Sequence, residues 1–492
     1  MKLPTSREIN RGLRVSGASA SARPPLASTL AWAAIAVGLS ARIFTLVERP
    51  LWADEIFTLA LARKSVPEIL AALRVDSGPP LHPLLAYVLL APFPAPGPAD
   101  ILVRVLSLVA SLLHLPLLVV VARRLGRPGL GLPAAALFAV FPLAVAYASE
   151  GRAYALASLL ALLAFERALA LRQTPRLAVA AGLTLAAAGA VLTHYLAVFP
   201  VAALAVLTLD ARPASRRALV ASGLAAASLA APWAPVALSQ PRASMAWAAE
   251  GDFAGALRDF PANLAFGAPA GAPAMAALAA AGAVLLAALL AREWRGVLAA
   301  AARPLGLSLA LLAIAQFAAG SLVLPERTAL VFLPLAALLL AGAPPFVSAA
   351  AGTLATVLLA LWLPRAAEPA PGELLARLFE APAKAGSRVL AAGYWGPELD
   401  YRLARAGAPG RVVLFPSAVA AHPGWYREEE IPDAALAAEA EAALSAAPPP
   451  TLFVLPRGSR ASAALASRLG HARRLLASPL FDVVEIPPRR AR

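Results

Sequence analysis

The chain has 492 residues and a net charge of +15, yet only 14% of its residues are charged and 60% are hydrophobic, with a mean hydropathy of +0.71. A soluble globular protein carries about a quarter charged residues, so this composition excludes an ordinary soluble domain. The sequence contains no cysteine, which excludes disulfide bonds and thiolate metal sites, and most arginines fall in short loops between apolar runs, so the charge indicates membrane orientation rather than nucleic-acid binding.

Apolar runs long enough to cross a bilayer, about 20 residues each, recur from Leu26 to Leu363. The basic segment 1–26 precedes them and is predicted to be a cytoplasmic N-terminal tail. We predict a polytopic α-helical membrane protein with about eleven transmembrane helices within 27–365. The predicted spans are approximately 27–47, 101–122, 129–147, 152–171, 177–193, 195–210, 218–238, 272–291, 305–323, 328–342 and 346–363.

The first loop, 48–100, is predicted to lie outside and to contain short helices of its own. VPEILAALR, 66–74, has apolar residues at helical spacing. PPLHPLLAYVLLAPF, 79–93, is apolar but shorter than a span. Counting it as a span would place the later arginine clusters outside, against the positive-inside rule. We therefore expect it to lie in the membrane interface or to re-enter the membrane.

Two adjacent carboxylates, Asp54 and Glu55, open this loop in the sequence ERPLWADEIFTLA. They suit the first turn of a helix, where acids are favoured. A carboxylate at the bilayer surface can also act as a general base towards an acceptor hydroxyl. Both interpretations remain open from the residues alone. A third acid, Asp76, lies in the turn DSGPP, which its composition already explains.

Later outer loops contain further charged and aromatic residues. SEGRAYAL carries Glu150, Arg152 and Tyr154, which fit an interfacial anchor in which Arg snorkels and Tyr joins the aromatic belt. His194 and Tyr195 have a similar place at a helix end, where a single His usually has a structural role.

Arg327, in VLPERTALVFLP, is less easily explained as an anchor, because it lies outside among apolar spans. Ionisable residues in such surroundings usually have a partner or a function. Arginine binds phosphate through paired hydrogen bonds, so a lipid phosphate is a suitable ligand.

The composition changes after 366, where a Pro-rich linker precedes a polar segment. Short apolar runs alternate with helical patterns, which predicts a small α/β domain over 366–492 on the outer side. The runs are RVLAAG, RVVLF, TLFVLP and FDVVEI, and the helical patterns include DAALAAEAEAALSA and ASAALASRLGHARRLL. No Gly-rich nucleotide fingerprint is present, so no cofactor is implied. A divalent metal on the oxygens of Asp54, Glu55 or Asp76 is chemically feasible, but the spacing does not demand one.

Several segments of the chain together resemble a known family. The segments LWADEIFTLALA, DSGPPLHPLL, RVLSLVASLLHLPLLVVVARRLG, YASEGRAYALASLLALLA, THYLAVFP and PERTALVFLPLAALLL follow one another in this order. Together, over about 50–345, they resemble the GT-C membrane glycosyltransferases of the protein O-mannosyltransferase and lipid A aminoarabinose transferase type. Bacterial members are often described as dolichyl-phosphate-mannose-protein mannosyltransferase-like. The chain departs from the pattern where Thr328 follows Arg327, since family members often have Tyr there.

The resemblance implies inverting transfer of a sugar from a polyprenyl-phosphate donor, at the outer face of a bacterial inner membrane, to a lipid, glycan or protein acceptor. It assigns the general base to Asp54, with Glu55 beside it, and the second acid of the outer loop to Asp76. The residues that it assigns to the donor's lipid phosphate are Arg152, Tyr154 and Arg327, and those that it assigns to the cavity wall are His82, His194 and Tyr195.

Two other functions remain open. A transporter or flippase for a lipid-linked substrate could use the same arginines, but it predicts ionisable residues deep within several spans and paired broken helices. The predicted acids and arginines lie instead at span ends, on one side. An inactive relative that binds a lipid is the third interpretation, and the presence of Asp54, Arg152 and Arg327 argues against it.

Overall fold

The computed structural model describes residues 25–93, 97–240, 253–269, 271–319, 326–421, 428–446, 450–470, 472–478 and 480–486. Nearly all of the predicted cytoplasmic tail, 1–26, lies outside these residues. The described part of the chain is mostly helical, and a five-stranded sheet lies near its C-terminal end.

The described residues before residue 367 form helices and the turns between them. Numbered in chain order, the α-helices are α1 (Pro25–Glu48), α2 (Ala53–Leu61), α3 (Val66–Val75), α4 (Leu81–Leu90), α5 (Ala99–Arg124), α6 (Gly131–Val140), α7 (Pro142–Ala146), α8 (Tyr154–Gln173), α9 (Leu177–Thr193), α10 (Val198–Ala203), α11 (Pro213–Ala230), α12 (Ala234–Ser239), α13 (Phe253–Phe266), α14 (Met275–Glu293), α15 (Ala299–Ala319), α16 (Leu333–Ala341) and α17 (Pro345–Ala366). Helices α6 and α16 are apolar on every side and form the middle of the bundle, since every residue of α16 is buried.

Six helices among the described residues are long and apolar enough to cross a membrane, and the chain is therefore a multi-pass membrane protein. They are α1, α5, α8, α11 continued by α12, α14, and α17 with the helix that follows it. The pair α6–α7 counts as a seventh if its bent halves form one span. The other four predicted spans coincide with shorter apolar segments, Leu177–Thr193, Tyr195–Thr208, Ala299–Ala315 and the Glu326–Val331 turn with α16. The number eleven therefore stays a prediction.

In its described residues, 48–93 and 97–100, the loop contains three short helices, α2, α3 and α4. Helix α3 begins at a capping box, in which the backbone N–H and the hydroxyl of Ser65 both donate to Glu68 Oε2, at 2.8 and 2.6 Å. Helix α4 has 10 residues and is therefore about 15 Å long, half of what a bilayer core requires. This length agrees with an interfacial or re-entrant segment, whose depth in the membrane remains a prediction.

The predicted third span is broken between α6 and α7, which meet at 69°. Pro142 has no N–H to continue the helix, and Leu143 N donates to Gly267 O instead, at 3.1 Å. The carbonyl of Ala139 then accepts from Arg42 Nη1 at 2.6 Å. Gly267 has φ +61°, and a Cβ there would lie 2.7 Å from Phe141 Cβ, so only glycine fits. This bend directs the chain into the turn that carries Glu150 and Arg152.

The segment after α17 forms an α/β unit, whose described elements are α18 (Pro371–Lys384), β1 (Val389–Ala392), α19 (Trp395–Arg405), β2 (Val412–Phe415), α20 (Ala418–Ala421), α21 (Asp433–Ser445), β3 (Leu452–Pro456), α22 (Arg460–Ala466), β4 (Arg473–Ala477) and β5 (Phe481–Glu485). The strand order is β2-β1-β3-β5-β4. Strands β2, β1 and β3 are parallel, while β5 is antiparallel to both β3 and β4.

One prediction in this unit is wrong. The helical pattern ASAALASRLGHARRLL holds only to Ala466, and its second half contains strand β4. Gly470 has φ +46°, which a helix cannot continue through, and the following residues pair with β5. The Pro-rich stretch AAEPAPGE, predicted to be a linker, is helical in its last three residues, because α18 begins at Pro371.

Candidate active site

Three charged side chains converge at one end of the bundle. The sequence predicts that this end faces the outer side of the membrane. Asp54 lies in the first turn of α2, and both Arg152 Nη2 and Arg327 Nη1 lie 3.7 Å from its Oδ2 atom. The exposed fractions of these side chains are 36% for Asp54, 27% for Arg152 and 17% for Arg327. A ligand can therefore reach a carboxylate and two guanidinium groups in one place.

Glu55 is adjacent to Asp54 but has different surroundings, because successive helix positions point about 100° apart. It is fully buried. Its Oε1 accepts from Arg104 Nε at 2.7 Å and from Gly151 N at 2.8 Å, and its Oε2 accepts from Arg104 Nη2 at 2.8 Å. Its Oε2 also accepts from Trp52 N at 3.3 Å, which caps the start of α2.

Arg104 fixes the chain where it leaves α1 and enters α2. Besides its two bonds to Glu55, it donates to the carbonyls of Leu46, Arg49 and Pro50, at 3.2, 2.7 and 3.0 Å. All five N–H donors of this guanidinium are therefore used. Such a fully satisfied buried network holds the backbone before Asp54 in one arrangement.

Glu150 forms a second buried ion pair beside the first. Its Oε2 lies 3.2 Å from Arg49 Nη2, while its buried Oε1 has no hydrogen-bond partner among the described residues. Burial raises the pKa of Glu150 to about 7, against the opposing effect of Arg49. The charges that face it are Arg49, Glu55, Arg152 and Arg327, so Glu150 titrates within the site near neutral pH.

Aromatic rings line the site beneath Arg327. The guanidinium carbon of Arg327 lies 5.5 Å from the ring centre of Tyr154, within the range of a cation–π contact. The Tyr154 ring is 5.3 Å from Tyr147 and 5.2 Å from His194, measured between ring centroids. His194 Nδ1 accepts from Leu196 N at 3.3 Å. Burial and the positive charges of Arg327 and Arg152 lower the pKa of His194 to about 4, so this imidazole is neutral at pH 7.

Both arginines of the site keep their positive charge. Burial acts to lower the pKa of Arg152, but Asp54, Tyr154, Asp76 and Glu150 together raise it. Burial likewise opposes the effect of Tyr154, Tyr147 and Asp54 on Arg327, whose pKa is also raised. Two permanent cations next to one partly exposed carboxylate give the site a net affinity for an anion.

The other predicted site residues lie around this centre. Asp76 ends α3, is half-buried, and accepts from Ser77 N at 2.7 Å. The Tyr195 hydroxyl donates to Gln240 Oε1 at 2.8 Å, and Gln240 Nε2 donates to Leu73 O and Gly78 O, at 2.7 and 3.0 Å. This network holds the Asp76 turn against the later helices.

His82 is buried in the first turn of α4. Within the described residues, no three His, Asp or Glu side chains are grouped so that they could hold a metal ion.

Sequence reasoning did not single out Arg104 or Arg49. Each interrupts the apolar pattern at the outer end of a predicted span, where the positive-inside rule disfavours arginine. Arg327 departs from the rule in the same way, so this pattern could have identified Arg104 and Arg49 as well.

The bundle of apolar helices and the helical first loop have the fold of the GT-C membrane glycosyltransferases. The structure superposes on that of ArnT, the lipid A aminoarabinose transferase, from Cupriavidus metallidurans in the apo state, with a TM-score of 0.58 over 93% of this chain and 98% of ArnT, at 14% identity. The structure of ArnT bound to undecaprenyl phosphate matches with a TM-score of 0.55 over 92% of this chain and 97% of ArnT, at 15% identity.

The oligosaccharyltransferase of Archaeoglobus fulgidus matches less well, with a TM-score of 0.45 over 87% of this chain and 69% of that protein, at 12% identity. No protein-family model matches the chain, and no curated protein matches it by sequence. The two ArnT superpositions, at identities that speak for the fold alone, confirm the predicted GT-C fold.

Proposed function

We propose that the protein is a glycosyltransferase that moves a sugar from a polyprenyl-phosphate donor to an acceptor hydroxyl at the outer face of the membrane. The observation that carries this proposal is the convergence of Arg152 and Arg327 on the exposed carboxylate of Asp54. Such a transfer requires an anion-binding pair beside a partly exposed carboxylate that can act as a base. The ArnT structure with undecaprenyl phosphate supports the choice of donor class.

Arg152 and Arg327 bind the donor phosphate in this proposal. Guanidinium groups donate paired hydrogen bonds to phosphate oxygens. The Tyr154 ring holds Arg327 through a cation–π contact. The arginines also stabilise the polyprenyl phosphate as it leaves, which is positioning combined with electrostatic stabilisation.

Asp54 acts as the general base. It takes the proton of the acceptor hydroxyl while that oxygen forms a bond to the anomeric carbon of the sugar. The bond between this carbon and the phosphate oxygen breaks, and the electron pair leaves with polyprenyl phosphate. Attack from the side opposite the phosphate inverts the anomeric configuration.

Donor binding has a further role in this scheme. The same guanidinium atoms that would hold the phosphate lie 3.7 Å from Asp54 Oδ2. A phosphate between the arginines competes with this carboxylate and frees it to meet the acceptor. The donor therefore binds before the acceptor.

The remaining predicted site residues act around these three. Glu55 has its oxygens committed to Arg104, Gly151 and Trp52, so we assign it the role of a positioning residue for Asp54. We assign Asp76 the place of the second acid of the outer loop, and His82, His194 and Tyr195 the wall around the bound donor, as the resemblance implies. Arg152 and Arg327 neutralise the negative charge of the leaving polyprenyl phosphate.

Orientation follows from the arginines of the loops. The protein lies in the bacterial inner membrane, with Asp54 and the α/β unit on the outer side. The acceptor is a lipid, a glycan or a protein.

The test is a donor panel with the purified protein in vesicles made from a total membrane extract, which supplies the acceptor hydroxyl. Undecaprenyl-phosphate sugars are offered one at a time, and release of undecaprenyl phosphate is measured. One donor should be consumed, and Asp54→Asn should abolish its consumption. Glu68→Gln, which changes another carboxylate of the same loop, serves as the matched control and should stay active. Movement of an intact donor across the vesicle without release of undecaprenyl phosphate would establish a flippase and contradict the proposal.

A further inference from the structure

Helix α19 of the α/β unit reaches the backbone directly before the proposed base. Arg402 Nη2 donates to the carbonyl of Leu51, three residues before Asp54. The Arg402 guanidinium is itself held by Glu398 Oε1, at 2.9 Å from Nε and 2.7 Å from Nη2. Arg402 and Glu398 are both buried. This contact is therefore buried in the interface between α19 and the segment before α2, and it is not an exposed surface pair.

The preceding carbonyl, that of Pro50, is also held by a buried arginine. Arg104, on α5, is held in place here, because its Nη2 atom donates both to Pro50 O at 3.0 Å and to Glu55 Oε2 at 2.8 Å. Two arginines from different units thus hold successive carbonyls, those of Pro50 and Leu51. The Leu51 side chain is buried in an apolar cluster that Tyr401 also contacts, so the segment is fixed through its side chain as well.

A second contact joins α19 to the start of α5. The Tyr401 hydroxyl donates to Asp100 Oδ1, and Arg405 Nε lies 3.1 Å from Asp100 Oδ2. Burial and the Asp100 carboxylate raise the pKa of Tyr401, so its hydroxyl keeps the proton that it donates. Asp100 precedes Arg104 by four residues, which places the two on the same face of α5, one turn apart.

We propose that the α/β unit positions the base of the transferase, with Arg402 acting on the backbone before Asp54 and Tyr401 and Arg405 acting on the helix that carries Arg104. This inference rests on the proposed function for the identity of Asp54 as the base. The contacts themselves hold α2 whatever the chemistry. Arg402, Tyr401 and Arg405 are positioning residues, since each acts through another group.

The consequence for the reaction follows from geometry. Misplacing a reacting group by about 1 Å can lower a rate by about 100-fold. Arg152 and Arg327 are attached to other elements, so loosening α2 should leave phosphate binding in place. The kcat value should therefore fall while the KM for the donor stays near its normal value.

The experiment compares three variants of the full-length protein in detergent. The double variant Arg402→Met with Glu398→Gln removes the contact without leaving a buried charge unpaired. Tyr401→Phe removes one hydrogen bond and nothing else. The control is Arg457→Gln, which breaks an exposed pair with Asp482 in the same unit.

Three readouts are measured, namely amide hydrogen exchange over 51–61, the Kd of undecaprenyl phosphate, and kcat with the donor that the panel identifies. For the double variant we expect faster exchange over 51–61, an unchanged Kd, and a kcat lower by about tenfold. Tyr401→Phe should change exchange and kcat in the same direction by less, and Arg457→Gln should change none of the three.

Normal exchange over 51–61 in the double variant overturns the proposal, and so does faster exchange with a normal kcat. A wild-type protein that consumes no donor overturns the proposed function alone. In that case the exchange rates still decide whether α19 holds α2.

Discussion

Asp54 combines solvent access with two cationic neighbours, and this combination determines its chemistry. Both arginines approach a single oxygen, Oδ2, at 3.7 Å, which is longer than a close charge-assisted hydrogen bond of about 2.7–2.9 Å. The carboxylate is therefore held loosely enough to be displaced. Its neighbour Glu55 is buried and bound at both oxygens, and cannot leave its place.

Removing the charge of Asp54 should separate binding from transfer. In Asp54→Asn the arginines lose a competing anion, so we expect undecaprenyl phosphate to bind at least as tightly as to the normal protein, while transfer is lost. Tryptophan fluorescence titration or calorimetry with undecaprenyl phosphate measures the Kd. Arg303→Gln, which breaks an exposed pair with Asp210, is a control for nonspecific loss of charge. Weaker binding to Asp54→Asn would show that the carboxylate helps to hold the phosphate.

Glu150 should make anion binding dependent on pH. Its pKa is raised to about 7, so it is protonated and neutral below pH 7 and becomes negative as the pH rises through that value. The negative form repels a phosphate held by Arg152 and Arg327, and binding should weaken between about pH 6 and pH 8. In Glu150→Gln this weakening should be absent.

The comparison of the two proteins isolates Glu150, because the second ionisation of undecaprenyl phosphate near pH 6 affects both equally. The Kd is measured at several pH values by calorimetry. Parallel pH profiles for the two proteins would contradict the prediction.

Sequence patterns identified the members of this cluster better than their roles. Asp54, Arg152 and Arg327 were found because charges at span ends depart from the apolar pattern. Glu55 could not be separated from Asp54 in the same way, since adjacent helix residues differ in environment only after the helix is packed. The partner that buries Glu55, Arg104, lies 49 residues away in the chain.

At the scale of elements, the start of α2 is fixed from three directions. Helix α5 supplies Arg104, the turn after α7 supplies Gly151, and α19 supplies Arg402. A Cβ on Gly151 would lie 2.7 Å from Val103 Cγ2, so the turn can approach α5 this closely only because the residue is glycine. The site is therefore assembled by long-range packing of short elements.

Breaking the Arg104–Glu55 pair should destabilise the protein strongly. Arg104→Met leaves a buried carboxylate without its partner, and the loss of one member of a buried pair costs about 3–5 kcal/mol. The double variant Arg104→Met with Glu55→Gln should recover part of this loss, because no buried charge remains. Thermal unfolding in detergent measures both, and equal unfolding temperatures for the two variants would argue against a buried ion pair.

Helix lengths and the bend were beyond sequence reasoning. Hydropathy located each apolar segment, yet it could not show that α6 ends at Val140 or that Leu143 pairs with Gly267, which belongs to a distant segment. In the α/β unit, the runs RVLAAG, RVVLF, TLFVLP and FDVVEI each contain a strand. Strand β4 was missed because its residues are exposed and carry no period-2 pattern.

At the scale of the whole molecule, the arrangement requires the outer loop and the α/β unit to lie on one side of the membrane. Arg402 reaches the Leu51 carbonyl directly, so these parts cannot be separated by a bilayer. The number of membrane spans between them must therefore be even, which agrees with the predicted topology.

The cysteine-free sequence allows a direct test of this topology. Single cysteines at the exposed positions Ala71, Ala214 and Ser467 are labelled in intact spheroplasts with a maleimide that does not cross membranes. Ala71→Cys and Ser467→Cys should react at once, and Ala214→Cys only after the membrane is permeabilised. Labelling of Ala214→Cys in intact cells would contradict the orientation derived from the arginines.

The hydrogen bond from Arg402 ends on a main-chain carbonyl, and every amino acid supplies such a carbonyl. Position 51 can therefore change in evolution without loss of this bond, whereas position 402 cannot. A relative could exchange most of its α/β unit as long as the equivalent of α19 keeps residues that make the contacts of Arg402, Tyr401 and Arg405. The molecule thus permits the rest of its α/β unit to diversify independently of the helix bundle.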